Sequence, residues 1–199
     1  MTERAVLMVV DVQIDFCPGG SLGITGGDTI IPVINRYIEL FRRAGVPVFA
    51  TRDWHPPVTT HFKQFGGLWP PHCVQGSVGA GFHPALRLPG DVTVVSKGID
   101  PLKDDYSAFR TSLESGLPFA EHLKKSGVTQ VYICGLATDY CVRWTALDAI
   151  QAGFKVTVLE DAIKGVNLNP QDSAQALAEI VAAGGKLADL TAIEKKLSA

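Results

Sequence analysis

Apolar residues along this chain come as short β-branched runs separated by longer segments in which they recur every three or four positions. The runs 5–10, 46–50, 92–95, 130–134 and 155–159 read as strands. None alternates strictly between apolar and polar, so each is expected to be buried on both faces, as strands of a parallel sheet are. A helix is expected from a cap at Asp28 or Thr29 through about Phe41, with Ile30, Val33, Ile34, Ile38 and Phe41 on one stripe. Further helices are expected over 118–126, 142–152 and 170–183, with Gly127, Gly153 and Gly184 as stop signals. This alternation predicts an α/β fold: a single domain over 1–199, doubly wound, with helices on both faces of a mainly parallel sheet. One stretch breaks the rhythm. Residues 52–90 contain no convincing long element but carry Pro56, Pro57, Pro70, Pro71, Pro84 and Pro89. A loop region of that length in a compact domain is usually functional. Its aromatics, Trp54, Phe62, Phe65, Trp69 and Phe82, give it surface to bury.

Composition narrows the function classes. The 199 residues suffice for one core and are too few for two full-sized ones. A formal net charge of -2 argues against a grip on a phosphate backbone, which needs clustered positive charge, so no nucleic-acid partner is expected. No apolar run approaches the ~18 residues of a membrane span, and 5–10 is too short for a signal peptide. The four cysteines, Cys17, Cys73, Cys134 and Cys141, are too sparse for a disulfide scaffold. A cytoplasmic protein with reduced thiols is expected, without membrane partners. An apolar face on the segment 187–197 serves either the core or a homo-oligomer interface.

In an open parallel sheet, ligands bind outside the carboxyl ends of the strands. The expected strands deliver Asp11, Asp53, Lys97 and, one loop further on, Cys141 to that edge. Cys141 stands at or near the start of a helix, where unpaired N–H groups and the helix dipole lower a thiol pKa and can receive an oxyanion. A buried structural cysteine would look much the same, and Cys134, inside an apolar run, fits that description better. No histidine neighbours Cys141 in the chain, so Asp11 is the candidate base and Lys97 the cation beside it. A turn cap and a surface lysine are the plainer readings of those two residues. Asp53 and His55 are spaced so that both face one way from an extended segment. With His72 or His61 as a third ligand they would form an open metal site, suited to zinc, iron or manganese. His83 and His122 have no such surroundings.

The stretches VVDVQIDFCPGGSL (9–22), TRDWHP (51–56), GGLWPPHCVQGSVGA (66–80), SKG (96–98) and YICGLATDYCVRWTALDA (132–149) resemble the nicotinamidases, a branch of the isochorismatase-like cysteine hydrolases. The resemblance runs from about Ala5 to Gly165. It implies that Asp11 and Lys97 are the catalytic acid–base residue and its lysine, and that Cys141, not Cys134, is the nucleophile. It places Leu136–Ala137 at a non-proline cis peptide beside an oxyanion hole formed by Ala137 and Cys141. It matches Asp53, His55 and His72 to metal ligands. Phe16 and Trp69 match the residues that enclose the substrate ring, with Tyr106, Leu136 and Ala137 bordering the same pocket. One position departs from the commonest pattern: Thr59 stands where many members have a histidine, and His61 resembles an extra metal-ligating histidine of some relatives.

The implied reaction is hydrolysis of nicotinamide to nicotinate and ammonia through a cysteine thioester, with pyrazinamide as a related substrate. One divalent metal is implied, zinc before iron or manganese, and no organic cofactor. Two other readings remain open on the residues alone: an amidase for another small amide or carbamoyl compound, and a non-catalytic binding protein.

Overall fold

The structure is a computed structural model that describes residues 4–197. Six strands form one sheet in the order β3-β2-β1-β4-β5-β6, and every pairing is parallel. They are β1 (Ala5–Val10), β2 (Val48–Asp53), β3 (Thr93–Lys97), β4 (Gln130–Leu136), β5 (Lys155–Lys164) and β6 (Lys186–Ala188). The helices are α1 (Ile31–Arg43), α2 (Phe119–Lys125), α3 (Arg143–Gln151), α4 (Asp172–Ala182) and α5 (Leu190–Leu197). The chain winds outward from β1 to β3, then returns to the far side of β1 through β4. The crevice between β1 and β4 is therefore the point where strand order reverses, the place such sheets bind ligands.

Alternation along β1 sets the two cores. Leu7 and Val9 point into one apolar cluster with Ile34, Tyr37, Ile38 and Phe41 of α1 and Ile193 of α5. Val6, Met8 and Val10 point into the other, with Phe119 and Leu123 of α2, Ala146 and Ala149 of α3 and Ile180 of α4. This is the doubly wound arrangement expected, and it follows from the period of two along a strand covered on both faces. Along α1 the buried positions Ile31, Ile34, Tyr37, Ile38 and Phe41 recur at helical spacing. Each such side chain contributes about 1.5–3 kcal/mol on burial. The C-terminal apolar face belongs to the core: Ile193 is buried, and Leu190 and Leu197 pack against the same cluster.

The differences from the expected elements lie at strand ends. β2 runs on to Asp53 because its pairing with β3 continues to the Asp53–Lys97 register. β5 runs on past Glu160 and Asp161 to Lys164, because a bulge between Ile133 and Gly135 lets β4 pair again with Ile163 and Lys164. β6, three residues long, carries too short a pattern to be recognised in the sequence. Beyond the end of β2 the 52–90 region holds only a 3-10 turn at Lys63–Phe65 and isolated bridges such as His55–Val74 and Phe62–Trp69. Among the described residues no helix is long and apolar enough to cross a membrane.

Candidate active site

Asp11 is the first residue beyond β1 and is fully buried, with a positive φ of 49°. Its backbone N–H still reaches the Thr51 carbonyl of β2 at 3.2 Å. The Thr51 hydroxyl donates to Asp11 Oδ1 at 2.6 Å, which fixes the carboxylate plane. Lys97 ends β3 and is equally buried. Its Nζ lies 2.8 Å from Asp11 Oδ2 and 3.2 Å from Cys141 Sγ, and it pairs with Asp53 Oδ1. One ammonium thus touches the expected base, the expected nucleophile and an expected metal ligand. In the sequence these residues fall into two separate groups; the register of β2 on β3 joins them.

The chain turns at the switch point through Gly135, whose φ of 114° and whose contact with Val10 exclude a side chain: a Cβ there would lie 2.0 Å from the Val10 carbonyl oxygen. The Leu136–Ala137 peptide is cis. Cys141 then sits in a single π turn, Thr138–Val142, that feeds α3. The Ala137 carbonyl accepts from the N–H groups of Tyr140 and Val142 at 3.1 and 3.0 Å, stepping over that of Cys141.

Burial dominates the electrostatics. It pushes the Cys141 thiol well above its ordinary range, and the Lys97 ammonium only partly opposes this. The low thiol pKa expected from a helix start is therefore corrected: burial, with the Asp11 and Asp53 carboxylates nearby, raises the thiol, which needs a base at the moment of attack. Burial likewise raises Asp11, against the pull of Lys97. Burial would lower Lys97, but Asp11 and Asp53 together hold it well above its usual value. For Asp53 burial is outweighed by Lys97, which keeps its carboxylate ionised, with help from His55.

Beside this group His55, His61 and His72 converge, their nearest ring nitrogens within 4.8 Å of one another. Each Nδ1 is engaged: by the Gly98 carbonyl for His55 (3.0 Å), the Pro70 carbonyl for His72 (2.8 Å) and Asp104 Oδ1 for His61 (2.7 Å). Fixing Nδ1 in this way is how proteins aim Nε2 at a metal. His55 Nε2 is buried with no hydrogen-bond partner among the described residues, which suits a nitrogen that ligates a metal. Asp53 Oδ2 lies 3.6 Å from His55 Nε2 and 3.9 Å from His72 Nε2. Burial lowers His72 to about 4 and also lowers His61, so both stand as the neutral imidazoles a metal binds. One carboxylate and three imidazoles suit a borderline divalent metal, so the residues present fit such an ion. The two histidines offered as alternatives for the third position are both at the site.

Phe16, Trp69, Tyr106 and Ala137 line a narrow cavity together with Cys141, Asp53, His61 and His72. Leu136 does not line it: its side chain is fully buried in the core, and what it brings to the site is the cis peptide. Leu22, Tyr140 and Val166 complete the wall and were not anticipated. Trp69 Nε1 donates to Tyr106 Oη at 2.9 Å and the indole meets Tyr140 edge-on at 5.0 Å, so three aromatic walls brace one another.

Sequence reading also missed the residues that hold the site together. Buried Gln13 donates to the Asp53 and Ala80 carbonyls and accepts from the Asp53 N–H, all within 2.9 Å. Buried Asp15 accepts from the N–H groups of Ser21 and Cys73, tying the Phe16 segment to the His72 segment. Polar residues at alternate positions directly after an all-apolar strand (Asp11, Gln13, Asp15) were the available signal.

The chain belongs to the isochorismatase domain family, whose pattern matches residues 5–192. Among its relatives is a nicotinamidase of Escherichia coli, 42% identical, with 94% of this chain and 95% of that one covered. A zinc complex of the pyrazinamidase of Pyrococcus horikoshii superposes with a TM-score of 0.86 at 46% identity, covering 94% of this chain and 99% of that one. PnC1 from L. infantum, solved with nicotinate, gives 0.85 at 38% identity over 96% of each chain.

Proposed function

We propose that this chain is a nicotinamidase, hydrolysing nicotinamide to nicotinate and ammonia through a thioester on Cys141, and accepting pyrazinamide as well. The observation that carries the reading is the contact of buried Lys97 Nζ with Asp11, Asp53 and Cys141, the last two of which line an aromatic-walled cavity. The relatives' activities toward nicotinamide and pyrazinamide support the substrate class.

Phe16 and Trp69 enclose the flat ring of the substrate, with Tyr106 and Ala137 beside them, and bring the carboxamide carbon to Cys141 Sγ. Asp11 takes the thiol proton as sulfur attacks. Lys97 stabilises the thiolate as it forms and holds the Asp11 carboxylate in place. The N–H groups of Ala137 and Cys141 receive the developing oxyanion, an effect worth roughly 3–4 kcal/mol per well-placed donor. Asp11 returns its proton to the departing ammonia, then activates the water that hydrolyses the thioester.

Asp53, His55, His61 and His72 would hold one divalent metal, zinc in first place and iron or manganese after it, which supplies a Lewis-acidic contact for the ring nitrogen. In this reading the protein is a single domain whose 52–90 region binds metal and substrate. Its four buried, unpaired thiols favour a cytoplasmic setting.

The test is ammonia release from nicotinamide by the purified protein, with Cys141→Ala and Cys141→Ser alongside. Release by the wild type and not by the alanine variant is expected. Full release by Cys141→Ala would end the covalent mechanism, and binding of nicotinamide without turnover by the wild type would end the enzymatic one.

A further inference from the structure

The three imidazoles at the metal site are not held alike. His55 and His72 hang from backbone carbonyls, whereas His61 is held by a side chain, Asp104 Oδ1 at 2.7 Å. The His61 side chain is buried and that of Asp104 is half-exposed, so the carboxylate meets the ring from its solvent side. No strand carries either residue. Instead their two segments are tied together at one atom, the Pro101 carbonyl oxygen. It accepts from the Thr60 N–H at 2.8 Å and from the Thr59 and Thr60 hydroxyls at 3.2 and 3.1 Å. The Thr59 hydroxyl oxygen in turn accepts from the His61 N–H at 3.3 Å. Thr59, the position at which this chain departs from the commoner histidine, is therefore a buried tie between the segment of His61 and the segment of Asp104.

We propose that Asp104 is a positioning residue for the metal: by accepting from His61 Nδ1–H it fixes the tautomer with a bare Nε2 and makes His61 the fourth donor. This rests on the metal reading above and deepens it. A backbone carbonyl suffices for His55, whose ring is anchored through rigid neighbours, and His72 is held by the carbonyl of Pro70, two residues before it in the chain. His55 bonds through its own N–H to the Cys73 carbonyl at 3.0 Å and sits against Gly98, where a Cβ would come within 2.4 Å of its ring. His61 packs against His55, His72 and Tyr106 with ring centres 4.5, 5.4 and 5.6 Å away, contacts that hold the ring but leave open which nitrogen carries the proton. The carboxylate supplies the missing restraint, and as an anion it strengthens the imidazole as a donor.

The experiment uses zinc alone, titrated into chelator-stripped full-length protein against a competing chromophoric chelator. Asp104→Ala is expected to weaken zinc binding about 10- to 100-fold, the range typical of lost outer-sphere partners. Asp104→Glu is expected to recover most of that loss, and His61→Ala to weaken binding at least as much as Asp104→Ala. In the His61→Ala background, Asp104→Ala should change the affinity no further, because the two residues act as one unit. Wild-type affinity in Asp104→Ala would overturn the proposal. So would an equal further loss on top of His61→Ala, which would mean that Asp104 acts on the loop and not through the ring. A wild-type protein that binds no zinc would overturn the metal reading itself, a distinct result.

Discussion

The cavity is made by two regions built on different principles. On one side Asp11, Lys97 and Cys141 stand at the ends of strands or in the turn that follows one, and ladder hydrogen bonds of a parallel sheet set their spacing. On the other, His61, His72, Trp69 and Tyr106 come from irregular chain. Individual bonds hold those loops: Gln13 on Ala80, Asp15 on Cys73, Asp104 on His61, Thr59 on Pro101. The first region is as rigid as the sheet; the second is as rigid as its few polar ties. The proposed mechanism places the chemistry that needs atoms within hydrogen-bond reach on the first, and recognition of the ring on the second. Lys97 is where they meet, since it pairs with both Asp11 and Asp53.

The comparison can be broken from the strand-end side first. Cys141→Ala should lower kcat roughly 10⁴-fold or more, as loss of a nucleophile does, and leave zinc affinity unchanged in a chelator competition. Asp11→Asn should lower kcat roughly 10²- to 10⁴-fold with little change in KM, read from steady-state ammonia release. If that variant instead changed KM alone, Asp11 would belong with recognition. From the loop side, removing metal by chelation should cut kcat/KM by about 10²-fold, the scale of a misplaced substrate, and metal add-back should restore it. The rate of alkylation of Cys141 reports whether the strand-end group survives that treatment intact. The smallest effect is expected at Thr51→Val, which removes the 2.6 Å bond to Asp11 Oδ1 and keeps the shape. The Thr51 hydroxyl orients Asp11 without touching the substrate, so only about 1–1.5 kcal/mol of a charged hydrogen bond should appear in the barrier, a fall in kcat on the order of tenfold.

The same contrast explains what the sequence disclosed. Strand cores were legible because runs such as Val6–Val10 are apolar on both faces, and the helices because Ile34, Ile38 and Phe41 keep helical spacing. Asp11, Lys97 and Cys141 followed from strand ends, and the resemblance separated Cys141 from Cys134. The last residues of β5 were not legible, since a bulge in β4 decides them and Glu160 and Asp161 look like a terminus. Leu22, Tyr140 and Val166 were missed because a loop side chain's neighbours depend on tertiary ties that have no period. Asp104 was missed for the same reason: the ring it serves lies far from it in the chain, and nothing local marks it. The raised thiol of Cys141 was missed because a helix start is visible in sequence while complete burial is not.

That the strand-end group works through a thioester on Cys141 is tested most directly by partitioning with hydroxylamine. If every turnover passes through one thioester on Cys141, nicotinamide and methyl nicotinate must give the same ratio of nicotinohydroxamate to nicotinate at each hydroxylamine concentration, because both products arise from one intermediate. Equal ratios from the two substrates are the predicted result. Ratios that differ between amide and ester, or nicotinate formed with no hydroxamate at any hydroxylamine concentration, would contradict it.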